Sequence, residues 1–80
     1  MILEEPEMTL TKGFLMSENM KEYLKGKVKY HETNVQVYFS SPVGIGEHPD
    51  IMSAIEDELS KVAEYKEKLD VLQELQRRLW

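Results

Sequence analysis

From Asp50 to Trp80 the apolar positions recur at alternating steps of three and four residues. One row holds Ile55, Val62, Leu69 and Gln76, and a companion row holds Ile51, Glu58, Tyr65, Leu72 and Leu79. Met52, Leu59, Leu75 and Trp80 widen the stripe. Such a seven-residue repeat is a helical seam of the coiled-coil kind, interrupted only at Glu58 and Gln76. Neither glycine nor proline breaks the segment, and Glu, Lys, Leu, Ala, Gln and Met fill most of it, all good helix formers. Pro49 suits a first helical position, while Ser53 with Glu56 offers an alternative start as a capping box. Glu47 and Asp50 at the front, and Arg77 and Arg78 at the back, suit the helix dipole. Asp57 with Lys61, Glu64 with Lys68 and Glu74 with Arg78 are i, i+4 pairs, each worth about 0.2–0.5 kcal/mol. The reading is one long helix over residues 50–80.

Upstream the period changes. Residues 1–7 read as an arm, with Pro6 lacking a backbone donor. Met8 and Leu10 alternate with Glu7, Thr9 and Thr11, the pattern of a short strand. Ser17 is placed as an N-cap, Met20, Tyr23 and Leu24 share one face, and Gly26 stands at a C′ position, which together predict a short helix over 17–26. Lys27–His31 and Val35–Ser40 alternate and are rich in β-branched and aromatic residues, with Asn34 in the polar break, and so predict a β-hairpin. Residues 41–49, bracketed by Pro42 and Pro49 and containing Gly44 and Gly46, are expected to form a loop. The expected fold is therefore α+β in a single domain of residues 1–80: strand, short helix and hairpin over 8–40, a Pro/Gly loop, and the long helix against a small antiparallel sheet.

Length makes the long helix informative. At 1.5 Å per residue, residues 50–80 extend about 45 Å, whereas a compact globule of 80 residues has a diameter of roughly 30 Å. The apolar stripe continues into the overhang, and leaving its large side chains in water forgoes about 1.5–3 kcal/mol for each. Pairing with a second copy is the expected outcome, through Ile55, Leu59, Val62, Tyr65, Leu69, Leu72, Leu75, Leu79 and Trp80. Coverage by the sheet alone, or by a different protein, are the alternatives. Glu58 and Gln76 either set the register of the seam or mark where it stops.

Charge and composition exclude more than they assign. Fifteen acidic and ten basic residues leave a formal charge of −5, which disfavours non-specific binding to nucleic acid or anionic membrane. The absence of cysteine removes disulfides, thiolate metal ligands and a cysteine nucleophile, and no apolar run is long enough to span a bilayer. The acidic start of the chain differs from a signal peptide, so a cytoplasmic location is expected. Lys21, Lys25, Lys27 and Lys29, with Tyr30 and Tyr38, form a basic and aromatic cluster that could contact single-stranded nucleic acid, an alternative set against ordinary edge-strand protection. The Gly44–Asp50 loop has glycines before a helix, as anion sites do, but its spacing matches no phosphate-loop motif and Glu47 and Asp50 would repel an anion. His48 with Glu47 and Asp50, and His31 with Glu32, contain acid–base or ligand elements without an enclosing pocket. No metal, cofactor or enzymatic activity is expected.

The run Val37-Tyr38-Phe39-Ser40-Ser41-Pro42-Val43-Gly44-Ile45-Gly46-Glu47-His48-Pro49-Asp50-Ile51, continuing through Ala54-Ile55-Glu56 to Lys68-Leu69-Asp70-Val71-Leu72, resembles short proteins of tailed marine bacteriophages of the cyanophage type and of ocean metagenomes. The resemblance covers residues 37–72. It implies a viral source, and hence the cytoplasm of an infected cell, and a role in phage biology. That group has no assigned activity, so no site residue is carried over. The expected function is structural, a protein–protein interaction through homo-oligomerisation of the long helix.

Overall fold

The computed structural model describes the backbone of residues 4–40 and 50–80, and the side chains of residues 12–40 and 50–80. It contains two helices, α1 over Glu4–Ser40 and α2 over Ile51–Leu79, and no strand among the described residues. The α+β expectation is overturned. The strand at residues 7–12, the 27–40 hairpin and the small sheet are all one continuous helix, and the arm expected over residues 1–7 is helical from Glu4. Gly26 does not end a helix: no described glycine has positive φ, and Gly26 lies exposed in the middle of α1. The Pro/Gly loop at 41–49, with Glu47 and His48, lies outside the described residues.

The reason is a heptad that the alternation concealed. Ser17, Lys21, Leu24, Val28, His31, Val35 and Tyr38 are spaced by four and three throughout, and all are buried or half-buried. Leu24, Val28 and Val35 form the core on α1, with His31 buried between them. Val37 and Phe39, the strand partners of Val35 in a period of two, point to solvent at 56% and 68% exposure. Tertiary packing along a period near 3.5 therefore overrides the β-propensity of the valines and aromatics.

The seam of α2 covers this row. Ile55 is buried, and Ile51, Glu58, Val62, Tyr65, Leu69, Leu72 and Gln76 are half-buried on the same face. The helices run antiparallel: Tyr38 lies beside Ile51 and Ala54, His31 beside Glu58, Ser17 beside Gln76 and Phe14 beside Trp80. The stripe expected to seek a second copy thus meets the first helix of its own chain. The premise of a compact body also fails. The radius of gyration is 18.9 Å and the principal extents are 67 × 19 × 11 Å, against about 12 Å for a compact chain of this length. The molecule is a rod two helices wide.

α2 begins at Ile51 rather than at Pro49 or Ser53. Asp50 is its flanking residue, and the Asp50 carbonyl accepts from the Ala54 N–H at 2.9 Å without a side-chain cap. Of the expected pairs, Glu64–Lys68 forms at 2.8 Å. Lys61 reaches Glu64 at 3.7 Å rather than Asp57, and Glu74 takes Arg77 at 2.6 Å rather than Arg78. These pairs are solvent-exposed and contribute little individually.

Candidate interaction face

The two polar interruptions of the α2 seam are each answered from α1. Glu58 Oε1 accepts from His31 Nδ1 at 2.6 Å and from Asn34 Nδ2 at 3.1 Å. The His31 bond first, and the Asn34 bond second, hold the Glu58 carboxyl below its ordinary value of 4.5. Tyr65 stacks on the His31 ring, centroids 5.7 Å apart and 11° from parallel. Near the termini, Gln76 Nε2 donates to Ser17 Oγ and to Glu18 Oε2, both at 2.9 Å. Lys21 at 3.0 Å, and then Gln76, hold the Glu18 carboxyl below the ordinary range. Ser17 is no N-cap; its hydroxyl donates to the Phe14 carbonyl at 2.7 Å. A one-residue slip would strand both polar layers among apolar neighbours, so they fix register as buried polar seam residues do. They also account for His31: its carboxylate partner is Glu58 across the seam, while Glu32 reaches Lys66 at 3.8 Å.

A second row lies one step round from the seam on each helix. On α1 it runs Met16, Met20, Tyr23, Lys27, Tyr30 and Asn34; on α2 it runs Asp57, Lys61, Glu64, Lys68, Val71, Leu75 and Arg78, again at steps of three and four, with the seam residues Tyr65, Leu72 and Leu79 at its border. Lys27 Nζ joins them, lying 5.9 and 5.8 Å from the Tyr23 and Tyr30 rings of its own helix and 5.5 Å from Tyr65 of α2. Lys68 Nζ sits 4.8 Å over Tyr65 from the other direction. The two rows therefore share one side of the hairpin. Met16, Met20, Tyr23, Tyr30, Leu75 and Leu79 are exposed there. The opposite side carries Glu18, Glu22, Lys25, Glu32, Lys66 and Arg77, with exposed Phe39, Met52 and Leu59 toward the turn.

The residues expected at an oligomer interface divide between these surfaces. Ile55, Val62, Tyr65, Leu69 and Leu72 belong to the intramolecular seam, with Tyr65 and Leu72 at its border. Leu75 belongs to the open row and Leu79 to its border, and Leu59 is exposed on the other side. Trp80 packs edge-on to Phe14, centroids 5.8 Å apart, and its ring approaches Gly13 so closely that a Cβ there would lie 3.3 Å from Cζ2. Sequence reasoning missed Met16, Met20 and Tyr23; their signal was the same three-and-four spacing, obscured once residues 27–40 were read as strands.

The six residues of the basic cluster do not form one surface. Lys21 and Lys25 pair with Glu18 and Glu22 at 3.0 and 3.4 Å, and Lys29 continues their row at i+4. Lys27 and Tyr30 lie on the apolar side, and Tyr38 is half-buried against Ile51 and Ala54. Among the described residues no group of three or more His, Cys, Asp or Glu is arranged to hold a metal, and no helix is long and apolar enough to cross a membrane. Of the Gly44–Asp50 loop only Asp50 is among the described residues.

No family model, curated protein or solved structure matches the chain.

Proposed function

We propose that this protein is a non-enzymatic assembly module, a helical hairpin that self-associates through the side bearing Met16, Met20, Tyr23, Leu72, Leu75 and Leu79. The observation that carries the reading is the set of exposed apolar side chains on one side of the helix pair, Met16, Met20, Tyr23 and Tyr30 on α1 and Val71, Leu75 and Leu79 on α2. A second copy is the fitting occupant because the uncovered rows repeat the three-and-four spacing of the seam, so identical rows can interdigitate with them as knobs into holes. The size is sufficient. With a side 67 Å long and 19 Å wide, contact over about two thirds of it would reach the roughly 800 Å² per partner of a standard specific interface. The accessible surface points the same way: it is 6369 Å², where a compact monomer of 9.4 kDa exposes about 5000 Å². Among the described residues no large side chain is fully buried, and helical chains this short gain stability by oligomerising.

The test separates the two rows. Met20→Glu with Leu75→Glu places charges on the open side and leaves the seam intact, so light scattering behind size exclusion is expected to move from a dimer to a monomer of 9.4 kDa. If the double variant fails to fold, the wild type still decides: a dimer's thermal midpoint rises with concentration. A wild-type chain that runs as a folded monomer with a concentration-independent midpoint overturns the proposal.

A further inference from the structure

Given that self-association, which this inference rests on, the composition of the open side also sets the direction in which two copies lie. The side is graded along its length. At the end where Phe14 meets Trp80 it is mostly apolar, with Met16 and Met20 on α1 and Val71, Leu75 and Leu79 on α2 beside Arg78, and Leu72 at the border of the seam. In the middle stand Tyr23, Lys27, Tyr30, Tyr65 and Lys68, the Lys27 and Lys68 ammonium groups over or beside tyrosine rings, with Glu64 pairing Lys68 at 2.8 Å and Lys61 at 3.7 Å. Toward the turn the rows pass through Asn34 and Asp57, and Asn34 donates to Glu58 at the border of the seam.

We infer that the two hairpins associate in the same direction, with both turns at one end and the apolar thirds of the two copies against each other. In that arrangement every position keeps its height. Met16 and Met20 of one copy face Leu72, Leu75 and Leu79 of the other, and the tyrosine–lysine layers meet at mid-length. The reverse arrangement lays each apolar third on the Asn34–Glu58 third of the other copy, which leaves large apolar side chains against hydrogen-bonded polar groups and covers less apolar surface. The middle layer does not discriminate, because it coincides with itself in both directions. The lysine stems lie along tyrosine rings and their heads reach the edge of the side, which limits the cost of the cationic layer.

The chain contains no cysteine, so a single introduced thiol can be labelled without other changes. Arg78 is exposed on α2, 13 positions past Tyr65 at mid-length, or about 20 Å along the axis. Arg78→Cys carrying a nitroxide, measured by pulsed dipolar spectroscopy, reads the direction. With copies aligned, the label separation is set by the bundle width, and helix axes about 8–10 Å apart give under about 30 Å. With copies reversed, the labels stand about 40 Å apart along the axis alone. A short distance is the expected result. A distance beyond about 40 Å overturns the direction and leaves self-association standing, whereas absence of dipolar coupling together with a monomeric mass removes both.

Discussion

The two long sides of the hairpin use similar helices to different ends. On one, Glu32 with Lys66, Glu18 with Lys21 and Glu22 with Lys25 present ion pairs to water, and the apolar exceptions gather near the turn. On the other, Glu64 pairs with Lys61 and Lys68 at mid-length, and Met16, Met20, Tyr23, Leu75 and Leu79 are exposed toward the end where Phe14 meets Trp80. The contrast gives three surfaces rather than two: a seam consumed within the chain, a side with ion pairs and a few exposed apolar groups near Ser40 and Ile51, and a side that repeats the seam's spacing. An exposed leucine alone signals nothing; exposed apolar groups gathered on one side of the helix pair are what the proposed association rests on.

The comparison can be broken at the seam with the largest expected effect. Ile55→Asp buries an unpaired charge at the one buried position among the residues of α2, a change that costs several kcal/mol, about 3–5. Loss of most helical circular dichroism at neutral pH is expected, in contrast to the open-side double variant. Retention of full helicity would show that the seam is not what folds the hairpin.

Next is the polar layer. Glu58→Ala leaves His31 and Asn34 without their acceptor and is expected to destabilise by about 1–3 kcal/mol at neutral pH. The pH dependence follows in sign from the lowered Glu58 carboxyl. Its contribution is complete above the unfolded value near 4.5 and fades as pH falls through the lower folded value. The difference between wild-type and variant melting temperatures should therefore shrink in acid, and a constant difference down to pH 3 would contradict the assignment. The smallest effect sharpens the account of α1. Gly26 has nothing within 4 Å of its missing Cβ, so Gly26→Ala should stabilise by about 0.5–1 kcal/mol as in any exposed helix interior. A destabilisation in thermal melts would mean that Gly26 is not helical.

Much of α2 was readable because its filling and its period agree: good helix formers and a three-and-four row carry the segment from Ile51 to Leu79. α1 was not, because its row passes through Ser17, Lys21 and His31, which an apolar pattern search rejects. Val35, Val37 and Phe39 meanwhile offer a convincing but accidental alternation. What decides between the two periods is the partner. His31 becomes a seam residue only when Glu58 stands opposite it, and that pairing spans 27 residues. Glu58 and Gln76 were visible as polar interruptions of a seam, but their meaning required Asn34, His31, Ser17 and Glu18 on the facing helix. The candidate face was half legible for the same reason: Leu75 and Leu79 stood out, while Met16, Met20 and Tyr23 joined them only once residues 4–40 were one helix.

Sedimentation equilibrium of the unmodified chain, from low micromolar to hundreds of micromolar, addresses the uncovered side most directly. Twice the chain mass of 9.4 kDa, with dissociation on dilution, is the result this account predicts. A single 9.4 kDa species that stays fully helical across the whole range would contradict it.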